Sequence, residues 1–409
     1  MKFPYQFFIA FRYFRSKKKH RGISLNTFIS IAGVALGVMT LLTVLSVMSG
    51  FHEDLQGKIL GANAHIIVQN YEGKIKDYQS VRGKISGIGG VTGSSPVVYG
   101  QVMLRFGSRA SGVVVRGIAP EIERDTTDIL GKLKAGSVNG LKETEGIPGI
   151  IIGRELLRNL GLFVGDEIDM ISPIGEPGPL GMIPKMKKFR VAGYFEAGMF
   201  EYDSTLVFID IHVAQNFFGM KDEVTAVEVK IDNPYRAAEI AAQIEKRLAL
   251  PFIARDWMQM NRNLFSALKL EKIVMFIILT LIILVASFNI VSNLIMIVIE
   301  KAREIAIMKA MGATSRGVML IFMIHGLIIG IIGTASGVLG GYILCELLKT
   351  YKFINLPPDV YYLSYLPVKI NLFDFMVVPA AAILISFLAT VYPSWQAARL
   401  DPVEPLRYE

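Results

Sequence analysis

The 409-residue chain is 52% hydrophobic and 19% charged, with a net charge of +8 and a mean hydropathy of +0.45. That balance is too apolar for an ordinary soluble domain and too charged for a protein confined to lipid. A nucleic-acid binder fits poorly because the densest basic run abuts an apolar span, and the lone cysteine, Cys345, excludes a disulfide framework.

Residues 3–15 place Phe3, Phe7, Phe11 and Phe14 on one helical face with Arg12 and Arg15 nearby. This pattern predicts a helix lying in the membrane interface, and residues 1–22 are assigned to it on the cytoplasmic side. Four stretches reach the roughly 20 apolar residues that a bilayer crossing needs. They are 23–48, 273–299, 317–345 and 375–398, and none holds an Asp, Glu, Lys or Arg. With their flanks they define transmembrane helices at 23–50, 271–299, 317–346 and 373–398. Lys2, Arg12, Arg15, Lys17, Lys18, Lys19 and Arg21 precede the first span, and no acid occurs before Glu53. The positive-inside rule then puts both termini in the cytoplasm, with 399–409 as a tail. Residues 51–270 and the shorter loop 347–372 fall outside. The first apolar run is longer than a signal-peptide core and lacks an A-x-A site, so an uncleaved anchor is expected.

The 51–270 insert mixes strand-like and helix-like segments. Residues 64–69, 97–105, 112–117, 188–194, 205–211 and 225–231 are rich in β-branched and aromatic side chains. Residues 154–160 and 237–248 read as helices, the second opened by Asp232-Asn233-Pro234 as cap and first-turn proline. The expected fold class is an α-helical membrane protein with four transmembrane helices and a large α/β domain, of one lobe or two, between helices 1 and 2. Residues 264–272 predict a helical stalk running into the second span.

One outer segment, about 173–184, is rich in proline and glycine: Pro173, Gly175, Pro177, Gly178, Pro179, Gly181 and Pro184. These residues forbid a regular helix. Its apolar residues Ile174, Leu180, Met182 and Ile183 follow no burial period. The segment is either a long hairpin loop or a projecting arm with an apolar tip.

Signatures of catalysis are absent. No phosphate-gripping G-x-x-x-x-G-K-[ST] occurs, His52-Glu53 lacks the second histidine of a zinc motif, and Gly93-Ser94-Ser95-Pro96 completes no nucleophile elbow. The five histidines are scattered, so no metal site is expected. His325, alone within a span, reads as a packing residue. Small residues at four-residue spacing (Gly33 and Gly37; Gly326 and Gly330; Gly333, Gly337 and Gly341) predict close helix contacts, and Asn289 and Asn293 can bond across helices. Four spans rarely enclose a path for a large substrate, so a dimer is expected.

Directly after the second span comes 300–312, half charged and half apolar. Such a segment suits neither lipid nor water and calls for a protein partner at the membrane surface.

Nearly end to end, the chain resembles the LolC/LolE family of lipoprotein-releasing ABC transporter permeases, of the type VII, MacB-like superfamily. The resemblance is carried by Leu36-Gly37-Val38, the run from Val44 to Phe51, Gly198-Met199-Phe200-Glu201-Tyr202-Asp203-Ser204 and the run from Leu264 to Lys272. It continues through Ala286-Ser287-Phe288-Asn289-Ile290-Val291-Ser292, residues 300–312, Ala389-Thr390-Val391-Tyr392-Pro393-Ser394-Trp395 and Leu406-Arg407-Tyr408-Glu409. It implies a non-catalytic permease in a Gram-negative inner membrane, acting with a second permease of its own or a paralogous kind. A LolD-like ATPase dimer would supply the energy, so this chain needs no cofactor and ATP and Mg are held by that partner. Lipoprotein is the implied cargo and a LolA-like periplasmic carrier the implied acceptor.

Residue by residue, the resemblance implies an ATPase-coupling element at Glu300, Lys301, Arg303, Glu304, Ile305, Met308, Lys309, Met311 and Gly312. It implies a carrier-binding hook at Pro173, Pro177, Pro179, Leu180, Met182, Ile183 and Pro184. Lys187 adjoins the hook, as do Lys185 and Lys188. Val44, Met48, Phe51, Leu55, Phe265, Leu268 and Phe276 match positions near a lipoprotein cavity. The alternatives are a MacB-like efflux permease, which usually carries a fused ATPase, and an FtsX-like regulator of a cell-wall hydrolase, whose outer domain is expected to be smaller.

Overall fold

The computed structural model describes residues 5–15, 21–143, 146–178, 181–351 and 365–400. The chain divides into two compact units, one of residues 1–52, 267–354 and 366–409, the other of residues 53–266 with 355–365.

The first unit is helical. Four of its helices are long and apolar enough to cross a membrane: α2 (Arg21–Ala62), α10 (Arg262–Glu300), α12 (Ser315–Tyr351) and α13 (Asp374–Arg399). At 1.5 Å per residue the 42 residues of α2 span about 63 Å, twice a hydrocarbon core. Helix formation therefore outlasts the apolar run, because the polar residues after Phe51 include no proline to stop it. α10 likewise starts at Arg262, ahead of its apolar stretch.

Small residues set the spacing within this unit. A Cβ on Gly330 of α12 would lie 2.6 Å from the Ser386 Cβ of α13, and Gly326 backs onto Thr390 in the same way. Gly333 and Gly337 approach Val34 and Val38 of α2, where added Cβ atoms would sit 2.8 Å away. The remaining seam is apolar, with Val34, Val38, Leu42, Ile290, Leu294 and Val378 in one buried cluster. Because lipid tails are as apolar as leucine, this close approach rather than hydrophobic exclusion holds such helices together. A short helix, α1 (Tyr5–Arg15), packs along α12 through Ala10. His325 of α12 is buried and faces the Ala10 backbone.

The second unit is α/β. Its strands are β1 (Ile66–Asn70), β2 (Val91–Phe106), β3 (Arg109–Ile118), β4 (Leu133–Gly136), β5 (Gly149–Gly153), β6 (Glu167–Gly178), β7 (Gly181–Phe195), β8 (Leu206–Asp210), β9 (Ala226–Ile231) and β10 (Phe252–Asp256). Around them lie α3 (Tyr78–Ser86), α4 (Pro120–Glu123), α5 (Arg154–Leu160), α6 (Phe200–Thr205), α7 (Ile211–Phe218), α8 (Ala237–Leu248) and α9 (Trp257–Met260). The sheet order is β10-β1-β9-β2-β3-β8-β5-β7-β4. β6 pairs with both β7 and β2, so β2, β3, β8, β5, β7 and β6 form a closed ring of pairings. Each strand of the ring is thus paired on both sides, and among the described residues β10 and β4 are the edges.

Both faces of the central strands are covered. On β5, Ile150 and Ile152 enter one buried cluster and Ile151 the other. Helix ends follow their local chemistry: Asp210 caps α7 through the His212 amide, Asp256 caps α9 through the amides of Met258 and Gln259, and Gly161 closes α5 in the left-handed region. The expected helices 154–160 and 237–248 coincide with α5 and α8, and the turn Pro234–Arg236 opens α8 where the proline signal stands.

Candidate functional site

The segment after the second span is a separate helix rather than a continuation. Lys301, at φ −98 and ψ 8, breaks α10 from α11 (Ala302–Ala310), and Gly312, at φ +98, turns the chain toward α12. That left-handed conformation suits glycine because any Cβ would be strained there. One side of α11 is anchored. Ile305 is 0% exposed in a cluster with Ile297, Val298, Val318, Phe322 and Ala397, and Met308 packs at its rim. The Lys309 ammonium donates to the carbonyls of Ala398 and Leu400 at 2.7 and 2.8 Å, neutralising the negative end of α13.

The other side of α11 is open. Glu300, Arg303, Glu304 and Gly312 are exposed, and Met311 is 82% exposed. Ile307, absent from the expected set, belongs to this face and is also exposed. The sequence signal for it is its position, two residues from the buried Ile305 and four from Met311.

Between α2, α10 and α13 lies an apolar cavity of about 320 Å³. Val34, Val38, Leu41, Leu45, Ile290 and Val378 form much of its wall, and Thr280, Ser287 and Ser386 supply its few hydroxyls. Of the residues expected in a lipid cavity, Phe276 lines this one. Val44, Met48 and Phe51 are half-buried on α2, and Leu55 and Leu268 are buried. Phe265 stacks edge-on against Trp257 at 5.2 Å, at the margin of the α/β core.

The proline-rich segment is a hairpin of two paired strands. β6 and β7 run antiparallel from Glu167↔Arg190 out to Gly178↔Gly181, with a register shift between Ser172 and Glu176. Strand prolines are tolerated here because they occupy an arm rather than the middle of a sheet. Pro177 pairs with Met182; Pro179 and Leu180 lie outside the described residues. Ile183 is exposed. At the arm's base Pro173, Pro184 and Ile171 border a groove of about 690 Å³ with Met103, Val114, Glu201 and Thr205. Met103 and Met186, both exposed, add apolar surface beside it that the sequence reading passed over. Lys187 is half-buried, Lys188 pairs with Glu167 at 3.5 Å, and Lys185 donates to the Asn216 carbonyl at 3.2 Å.

The α/β unit also holds a buried ionic cluster. Arg116 donates to Glu228 at 2.6 Å and to Glu123 at 3.0 Å, and its other nitrogen reaches the Ala62 carbonyl at the end of α2 at 3.3 Å. The Tyr99 hydroxyl donates to Glu228, and Thr127 donates to Glu123 at 2.7 Å. Burial and the Glu228 charge push the Glu123 carboxyl up to about 7, against the opposing pull of Arg116.

Residues 27–247 match the MacB-like periplasmic core domain, and residues 276–402 match the FtsX-like permease C-terminal domain. The chain is 38% identical to the lipoprotein-releasing system transmembrane protein LolC of Xylella fastidiosa, covering 99% of each chain. It is 36% identical to LolC of Neisseria meningitidis over the full length of both, and 30% identical to LolE of Haemophilus influenzae over 98% of both. With its four spans and inserted α/β domain, the chain belongs to the LolC/LolE family of lipoprotein-releasing system transmembrane proteins.

Proposed function

We propose that this chain is the permease subunit of an ABC transporter that extracts lipoproteins from the inner membrane and hands them to a LolA-like periplasmic carrier, driven by a separate LolD-like ATPase. The observation that carries the reading is the full-length similarity to chains named for lipoprotein release. The geometry supports it at two places. α11 is pinned on one side and open on the other, as a helix that takes a push from a partner must be. The β6–β7 arm presents Pro173, Ile183 and Pro184 to solvent, a stiff apolar surface suited to a carrier. Each acyl methylene taken from lipid costs about 0.8 kcal/mol, so removing a triacylated anchor demands an external energy source and an apolar acceptor.

Two measurements test the reading. In the reconstituted complex, Met311→Glu with Ile307→Asp is expected to abolish lipoprotein-stimulated ATP hydrolysis; unchanged stimulation rules out α11 as the ATPase contact. Deleting 175–181 is expected to spare ATPase assembly and remove carrier capture in a pulldown. Capture of an outer-membrane channel component or a hydrolase in place of the carrier would favour the MacB-like or FtsX-like alternative.

A further inference from the structure

The short helix α1 has two faces of unlike chemistry. Gln6, Ile9, Ala10 and Tyr13, spaced i, i+3, i+4 and i+7, turn toward the protein, with Ala10 fully buried against Ile321 and Ile324 of α12. Phe7, Phe8 and Phe11 turn away and are exposed, Phe8 by 64%, with Arg12 exposed beside them. Three adjacent phenylalanines on an eleven-residue helix are a poor surface to leave in water. Of the expected stripe, Phe7 and Phe11 share this exposed face and Phe8 joins them; Phe3 and the Phe14 side chain lie outside the described residues.

Charge identifies what covers the aromatic face. Arg12, Arg15, Lys17, Lys18, Lys19 and Arg21 fall within ten residues, no acid precedes Glu53, and an apolar span follows at once. Aromatic side chains with clustered cations beside a span match an acidic lipid surface. A protein partner would need compensating acids there and would leave this density of lysine unused.

The protein-facing side of α1 reaches the segment described above as pinned on one side. The Tyr13 ring lies 6.4 Å from that of Phe322 and carries the Lys301 ammonium over its face at 5.3 Å. Lys301 is paired with Glu304 at 2.5 Å, and the Glu304 carboxylate lies beside the Tyr13 hydroxyl. Tyr13 therefore touches both the break before α11 and its first turn.

We propose that α1 rests on anionic lipid through Phe7, Phe8, Phe11 and Arg12, and that Tyr13 transmits that docking to α11 through Lys301 and Glu304. Acidic lipid is then a structural partner of α11: when α1 leaves the surface, the Tyr13 contact loosens and α11 loses its fixed start. The consequence for transport rests on α11 being the ATPase contact; the lock itself does not.

The test uses the full chain in nanodiscs, with Cys345→Ala as background. An environment-sensitive fluorophore on Phe8→Cys is expected to be quenched by nitroxide-bearing lipid in discs containing phosphatidylglycerol, at least threefold more than in phosphatidylcholine discs or at high salt. A spin label on Met311→Cys is expected to be immobile in the acidic discs. It should become mobile in neutral discs, and also in acidic discs when Tyr13→Phe removes the hydroxyl while keeping the ring. Quenching that ignores lipid charge overturns the anionic docking, and exclusion of the quencher at Phe8 in every disc shows a protein occupant instead. A Met311 label indifferent to both lipid and Tyr13 overturns the lock. With the ATPase added, activity is expected to fall at least threefold in neutral discs. If both labels respond and the activity does not, α11 as the ATPase contact fails while the lock stands.

Discussion

Arg116 and Glu228 meet at 2.6 Å in the interior of the α/β unit, with neither side chain more than 1% exposed. Two full charges withdrawn from water are tolerated only where each is further bonded. Here Tyr99 also donates to Glu228, Glu123 takes a second Arg116 bond, and the Ala62 carbonyl takes a third. The last of these places a guanidinium at the C-terminus of the long α2 helix, where its charge complements the helix dipole.

Glu123 gives this cluster a pH dependence. Its carboxyl is raised from 4.5 to about 7 by burial and by Glu228. Below pH about 4.5 both folded and unfolded forms hold the proton and the group costs nothing. Between pH about 4.5 and about 7 the unfolded chain has released it while the folded one still holds it, so stability falls by on the order of 1–3 kcal/mol across that window and levels off above it. Glu123→Gln keeps an acceptor for Arg116 and Thr127 and should flatten that slope. Thermal melts of both chains in detergent from pH 4.5 to 7.5 check it, and parallel slopes would remove Glu123 as the source.

Ile305 and Met311 mark the anchored and the open sides of α11. Ile305→Asp buries a charge among Val318 and Phe322 and should destabilise the helical unit by about 3 kcal/mol or more. Met311→Ser, at an open site, should change stability by less than about 0.5 kcal/mol. Scanning fluorimetry of the two variants distinguishes them; equal melting would mean Ile305 is not an anchor.

Lys309 should hold down the end of α13. Lys309→Met removes two charge-assisted bonds, to Ala398 and Leu400, at a cost of about 1–3 kcal/mol. The amide of Leu400, bonded to the Ala397 carbonyl, should then exchange with deuterium at least tenfold faster. Unaltered exchange there would make the lysine contact incidental.

Gly330 and Ser386 should behave as a coupled pair. A Cβ at Gly330 collides with the Ser386 Cβ at 2.6 Å, so Gly330→Ala is expected to cost about 1–3 kcal/mol by overpacking. Adding Ser386→Gly should recover about 1 kcal/mol of it. Additive losses in the double variant would place the clash elsewhere.

Some of this was legible along the chain because the signal is local. The four apolar runs mark the four long helices through hydropathy alone, and Asp232-Asn233-Pro234 marks the start of the α8 region through cap chemistry. β5 shows where locality fails: Gly149–Gly153 is a short apolar run between glycines, and no period tells such a run from a buried helix turn. Only its pairing with β7 and β8, from distant parts of the chain, makes it a strand.

The same divide runs through the functional surfaces. Composition and charge by themselves determined a four-span protein with a large inserted domain, a basic aromatic entry helix and a half-charged segment after the second span. They could not sort that segment, because Ile305 and Ile307 are the same residue type two positions apart. Burial is decided by what arrives from elsewhere: Val318, Phe322 and Ala397 cover Ile305, no described residue covers Met311, and Tyr13 comes from far back in the chain to meet Lys301. Those contacts join residues distant in the sequence, and only the tertiary packing brings them together.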